Sequence, residues 1–290
     1  MVAEGSLFAA GAGRTAHYVA HRTSVVVERT RAGLAEDRLY RDVVRELPEL
    51  ASLPDNAEHV FHYAFTEMVN NAIDHSRARM VRCEVTADGK QVVAVITDDG
   101  VGAFENVRRA LRLERTVEAV GEISKGKTTT DAEHHTGQGI FFTSKAVDRF
   151  ELASGEVRWV VDNRIGDQAI GTADVFGTRV AFEIAYATTR ELRKLFDEYT
   201  TDFAFDRSRT HVRLFAYGTS FVSRSEAKRL LHGLEKFREV ILDFAGVEIV
   251  GQGFVDEVFR VWPRTNEETK LLPANMIEPV RFMVERGLGS

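Results

Sequence analysis

Between residues 67 and 75 the chain places a carboxylate, two amides, a second carboxylate and a histidine: Glu67, Asn70, Asn71, Asp74 and His75. At about 100° per residue, residues 56–75 read as a helix. Phe61, Phe65, Met68, Val69, Ala72 and Ile73 share one arc, and Glu67, Asn71 and Asp74 share the opposite one, with Asn70 and His75 at its margins. The apolar arc is core. A face that only meets water more often carries Lys, Glu, Gln and Arg, which form helix better than Asn does. A short-chained acid and amide face suits a hard cation instead. Mg²⁺ takes oxygen ligands and shares itself with substrate phosphates, so Asn71 is the expected Mg²⁺ ligand. Glu67, one turn earlier, could hold and deprotonate a water beside those phosphates, which makes it the candidate catalytic residue.

Two glycine turns follow. The apolar run Val92–Thr97 ends in Asp98-Asp99-Gly100-Val101-Gly102. A carboxylate at a strand end can accept the exocyclic amine of adenine, and glycines let a backbone come close to a nucleotide. Thr136-Gly137-Gln138-Gly139 stands directly before a helical segment, where free amides bind phosphate. Neither turn is specific alone, since acid–glycine turns and glycine-rich helix entries are common. The chain has no G-x-x-x-x-G-K-[ST] P-loop. It also lacks a G-x-G-x-x-G fingerprint after a strand.

Order makes the set specific. E-x-x-x-N on a helix, D-x-G-x-G, a long polar loop, G-x-G and finally Gly177-Thr178 resemble the GHKL ATP-binding family of gyrase, chaperone, histidine kinase and MutL type. The resemblance covers roughly residues 30–186. It implies ATP and Mg²⁺ as cofactors and a two-layer α/β sandwich of GHKL (Bergerat) type. It makes Asn70, Asn71, Asp74, Asp98, Gly100, Gly102, Thr136, Gly137, Gln138, Gly139 and Thr178 nucleotide-binding residues. Residues 103–136 would be the ATP lid, from which Lys125 and Lys127 reach the phosphates or simply meet solvent. The phosphoacceptor motif H-E-x-x-x-P of sensor kinases does not occur. His59 and His62 fall on the Glu67 helix, and His134 and His135 in the lid.

Other elements must position these groups. The spacing predicts a helix over 34–47 and a hairpin of 80–87 with 91–97 around Asp88-Gly89. It predicts a helix over Gly139–Asp148, then strands near 149–153, 157–162 and 177–184. Residues 5–27 read as two short strands around Gly11-Ala12-Gly13-Arg14, the second running from His17 toward Val27. Residues 1–20 read either as an ordinary hairpin packing on the ATPase domain or, by resemblance, as the wing of a winged helix, which would imply a DNA contact through a region mostly absent here. After a connector at 187–206, alternating strands and helices predict a smaller parallel or mixed sheet over 207–290. That part resembles a STAS-like domain through Phe221–Ser225, Val240–Phe254 and Ala274-Asn275. Where true antagonists of anti-sigma factors carry a phosphoacceptor hydroxyl, it has Gly251, Gln252 and Gly253. Ser223 with Glu226 reads as a capping box. The expected boundaries are 1–30, 31–186, 187–206 and 207–290.

Composition bounds the function. The charge is −6 from 38 basic and 44 acidic residues, which argues against a generally basic nucleic-acid coat. The lone Cys83 excludes a disulfide framework within the chain, and a reducing cytoplasm is the default. No apolar run is long enough for a membrane span. The leading expectation is a Mg-ATP-dependent regulatory switch, a slow ATPase whose lid signals to the STAS-like domain and to a protein partner or second copy. Its rivals are a Ser/Thr kinase resembling anti-sigma-factor kinases and a nucleotide-sensing transcription regulator.

Overall fold

The computed structural model describes residues 7–10, 17–20, 23–126, 138–199 and 209–288. Of these, the described residues before Val107 together with Phe142–Leu192 form one compact unit. Those from Val107 to Phe141, with those from Arg193 on, form a second.

The first unit is a sheet with helices on one face. β1 (Leu7–Ala10) and β2 (His17–Ala20) pair antiparallel. Of the expected run from His17 toward Val27, residues 21 and 22 lie outside the described residues, and Thr23–Thr30 is strand β3. β3 pairs with β4 (Met80–Ala87), so the sheet begins ahead of residue 31. β4 turns through Gly89 into β5 (Gln91–Asp98), and this hairpin lies where Asp88-Gly89 signalled it. The three strands expected after residue 148 are two long ones: β6 (Arg149–Asp162), irregular near Gly155, and β7 (Asp167–Ala185). The sheet order is β3-β4-β5-β7-β6, antiparallel throughout. β4 and β5 bury every second residue, as one covered face requires.

α1 (Glu36–Glu46) buries Leu39 and Val43. A short turn over Pro48–Ser52 leads to α2 (Asp55–Asp74), which buries Val60, Phe61, Ala64, Phe65, Met68 and Val69. α1 packs on α2, and α2 on β4, β5 and β7. Phe61, Phe65 and Phe182 are almost fully buried, and Phe61 stacks tilted on both others at 5.7 and 6.1 Å. Truncating such a ring costs about 3–5 kcal/mol, so the apolar arc of α2 fixes where its polar arc points.

α3 (Ala103–Leu111) and α4 (Glu118–Ser124), joined by turns over 112–117, occupy the start of the expected lid. α5 (Gly139–Ala146) follows the second glycine turn, and α6 (Leu192–Tyr199) precedes the next strand.

In the second unit β8 (Arg209–Arg213), β10 (Glu239–Asp243) and β12 (Lys270–Ala274) form a parallel sheet ordered β12-β10-β8, so the mixed or parallel expectation resolves to parallel. The two-residue strands β9 (Ser220–Phe221) and β11 (Ile249–Val250) pair parallel beside it. Around these strands lie α7 (Arg224–Leu231), α8 (Gln252–Asp256), continued by a π-helical turn over Glu257–Val261, and α9 (Glu278–Leu288). Ser223 and Glu226 form the capping box. Asp243 ties the strand ends together: it pairs with His211 at 3.1 Å and accepts from Asn275 Nδ2 at 2.9 Å and from the Ala245 amide at 3.0 Å.

Candidate nucleotide site

The site grows from the paired ends of β5 and β7. Antiparallel register sets Asp98 opposite Thr178 and Thr178 opposite Ser154. Residues eighty apart in sequence thus become neighbours through ladder hydrogen bonds. Asp98 is 9% exposed, and its Oδ1 accepts the Gly100 amide at 2.9 Å. Burial pushes its carboxyl up to about 6, although hydrogen bonds from the Gly100 backbone and the Thr178 side chain pull the other way. Thr178 Oγ1 also accepts the Ala103 amide at 3.1 Å, fixing the start of α3.

Asp99 has a different job. Its Oδ1 accepts the amides of Arg79 at 2.7 Å and Met80 at 2.9 Å, and these bonds hold its carboxyl below the usual range.

The glycines are set by chain packing. A Cβ on Gly100 would lie 2.1 Å from the Ser76 carbonyl oxygen, where the Val101 amide donates at 2.8 Å. A Cβ on Gly177 would lie 2.0 Å from the Asp98 carbonyl oxygen, and its φ of +74° favours glycine as well. Gly102 sits against the Ser154 hydroxyl, which donates to the Gly177 carbonyl at 2.9 Å. Ser76 and Ser154 were not singled out in sequence, because a lone serine after a helix or in a strand carries no signal. Their role exists only through the carbonyls they bring into contact.

The bond from Val101 to Ser76, with Asn106 Nδ2 donating to the His75 carbonyl at 3.3 Å, brings the last turn of α2 to the end of β5. Asn71 belongs to that turn, and Glu67 lies one turn before it. Asn71 Nδ2 is buried and, among the described residues, has no hydrogen-bond partner. An orphaned amide of this kind costs about 1–3 kcal/mol and fits a group whose partner is a ligand. Glu67 is half-buried, and burial together with its charge raises the Tyr63 phenol. Asn70 is half-buried and Asp74 exposed on the same helix. His62 stacks edge-on against Tyr40 at 4.5 Å.

Gln138 and Gly139 stand at the start of α5, which Phe141 and Phe142 anchor by burial. Lys127, Thr136 and Gly137 lie outside the described residues, as do His134 and His135. Lys125 departs from the expectation of a lid lysine reaching phosphates or meeting solvent. It is 4% exposed, and its Nζ donates to Glu122 Oε1 at 2.7 Å. Among the described residues no group of three or more His, Cys, Asp and Glu side chains converges for a metal. Among the described residues no helix is long and apolar enough to cross a membrane.

Residues 30–163 match the family model of the histidine kinase-like ATPase domain, and residues 226–281 that of a STAS-like domain of unknown function. No curated protein shows a sequence match to the chain. The first match runs from the end of β3 through β6, taking in α2, β5 and α5; the second runs from within α7 into the start of α9. With the layered sheet of the first unit and the smaller α/β fold of the second, residues 30–163 belong to the GHKL-type, histidine kinase-like ATPases and residues 226–281 to the STAS-like domains.

Proposed function

We propose that this protein is a Mg-ATP-dependent regulatory switch with slow ATPase activity, whose nucleotide state is read by the STAS-like domain. The observation that supports it best is the buried Asp98 carboxyl, raised by burial and held by Gly100 and Thr178. A buried acid at a strand end, with no ion pair of its own to Asp98 among the described residues, suits a neutral donor such as the adenine amine. Asn71 would hold Mg²⁺ through its side-chain oxygen. Gln138 and Gly139, at the helix entry, would face the phosphates together with Thr136 and Gly137. Bound Mg-ATP supplies an activated phosphoryl group and the charge that orders its surroundings. Glu67 holds a water and takes its proton; the Tyr63 phenol stays protonated beside it. The absence of a hydroxyl at Gly251, Gln252 and Gly253 argues against phosphorylation of the chain's own STAS-like domain.

Calorimetry and phosphate release on the full chain test this reading. Wild type binds Mg-ATP. Asp98→Asn loses about ten- to a hundredfold in affinity, because a charge-assisted bond of about 1.5–3 kcal/mol becomes a weaker one. Glu67→Ala keeps its affinity and loses about 10²–10⁴ in hydrolysis rate. Unchanged affinity in a folded Asp98→Asn protein refutes the adenine assignment, and equal phosphate release by wild type and Glu67→Ala refutes the base. Label from γ-labelled ATP appearing on a partner protein instead of as free phosphate would favour a kinase.

A further inference from the structure

A lid read from sequence as polar loop should present its helices to water, yet α4 does the reverse. Glu118, Ala119, Val120, Gly121, Glu122 and Ile123 are all buried, and the helix packs on β8 and on the turn Leu214–Ala216 that follows it. Gly121 seats so closely on Tyr217 that a Cβ would lie 2.2 Å from the ring. The Tyr217 hydroxyl donates to Glu122 Oε1 at 3.1 Å, and Lys125 Nζ donates to the same oxygen. Lys125 also donates to the His232 carbonyl at 3.2 Å and lies 5.4 Å from the centre of the Tyr217 ring. Its own carbonyl accepts from Thr210 on β8 at 3.3 Å. Arg115 donates to the Tyr217 carbonyl at 2.6 Å and to Glu118 at 3.1 Å, and Arg229 to Glu114 at 2.8 Å.

Loose surface contacts do not look like this. Taking a carboxylate and an ammonium out of water is tolerated only when each is paired in close geometry. A buried, fully engaged polar cluster accepts one seating of α4 and resists intermediate ones. Residues 107–126 are thus part of the second unit's own packing.

We propose that this segment is the coupling arm of the switch: the Glu122–Lys125–Tyr217 lock passes to β8 and the turn after it any displacement that nucleotide imposes on residues 107–126. The inference rests on the ATP-switch reading above. Coupling requires an element that both sites bias, and α4 meets the STAS-like side of that requirement directly.

Hydrogen exchange on the full chain, with and without Mg²⁺ and a non-hydrolysable ATP analogue, tests it. In wild type the analogue should change exchange in 118–126 and in 209–217 together, by about twofold or more. Tyr217→Phe removes one hydroxyl and keeps the ring; Glu122→Gln removes the shared charge. In each variant the response at 118–126 should persist while that at 209–217 falls to about half or less, with analogue affinity within about threefold of wild type. Should Glu122→Gln fail to fold, Tyr217→Phe decides alone. An undiminished response at 209–217 in Tyr217→Phe, or analogue binding to wild type without any response there, overturns the coupling arm and leaves the ATP site standing. Failure of wild type to bind the analogue in calorimetry overturns the switch itself, and the arm with it.

Discussion

Asp98 and Asp99 carry the same side chain, and their surroundings push their protons in opposite directions. Asp99 meets two backbone amides in water and is held ionised. Asp98 is buried, and burial outweighs the donors it does have, raising it to about 6. A carboxyl raised above its unfolded value of 3.8 stabilises the fold fully below that value, and the contribution is lost as pH rises through about 6. An adenine amine, as a donor, needs the ionised form. Between pH 5 and 7 the two effects therefore oppose each other: stability contributed by Asp98 falls by about 1.3 kcal/mol, the remainder of a total of about 3 kcal/mol being lost already below pH 5, while ATP affinity grows. Thermal midpoints and calorimetric affinities across this range, for wild type and Asp98→Asn, check both signs. Comparison with the variant removes the titration of the phosphates themselves. Parallel pH profiles for the two proteins would show that Asp98 does not titrate there.

At the scale of elements, the site depends on two chain crossings that admit no side chain. Gly177 and Gly166 both have positive φ, yet only Gly177 faces a backbone atom; nothing lies within 4 Å of a Cβ at Gly166. Gly166→Ala should cost about 1–2 kcal/mol, the strain of a left-handed conformation alone. Gly177→Ala should cost about 2–5 kcal/mol, because overpacking against the Asp98 carbonyl adds to that strain. Urea denaturation of the two variants measures the difference. Equal losses would mean that the β5 and β7 ends give way without resistance, and the register would then not be what holds Asp98 beside Thr178. α2 provides the complementary constraint. Its buried phenylalanines fix its rotation, so Glu67 and Asn71 share one polar face by the same helical period that buries Phe61 and Phe65.

For the molecule as a whole, ligand stabilisation reports whether the site is used. A ligand at about a hundred times its Kd adds about 2.7 kcal/mol to a fold that binds it and nothing to one that does not. Mg-ATP should raise the unfolding temperature of wild type in scanning calorimetry. At the same concentration Asp98→Asn should gain less than about 1.5 kcal/mol, given its expected loss of affinity. An equal rise in both proteins would place the stabilising contact away from Asp98.

The periodicity of residues 56–75, the Asp88-Gly89 hairpin, the glycine-separated acid and the βα alternation after residue 207 were legible in sequence because each is local: neighbours along the chain are sufficient to produce them. The order of these motifs was legible too, and with it the GHKL-type and STAS-like character of the two parts. Three things were not. The pairing of Thr178, named in sequence only through the order of the motifs, with Asp98 arises from strand register. Asp98 and Asp99 part ways only because one side chain is buried and the other meets the Arg79 and Met80 amides. Lys125, polar in a polar stretch, pairs with Glu122 three residues before it and is buried against the Tyr217 ring and the His232 carbonyl, both distant in sequence. Local pattern specifies which faces are apolar and where the chain turns. Which distant groups then satisfy a buried charge is decided by packing, since the energy of pairing it exists only once water has been excluded.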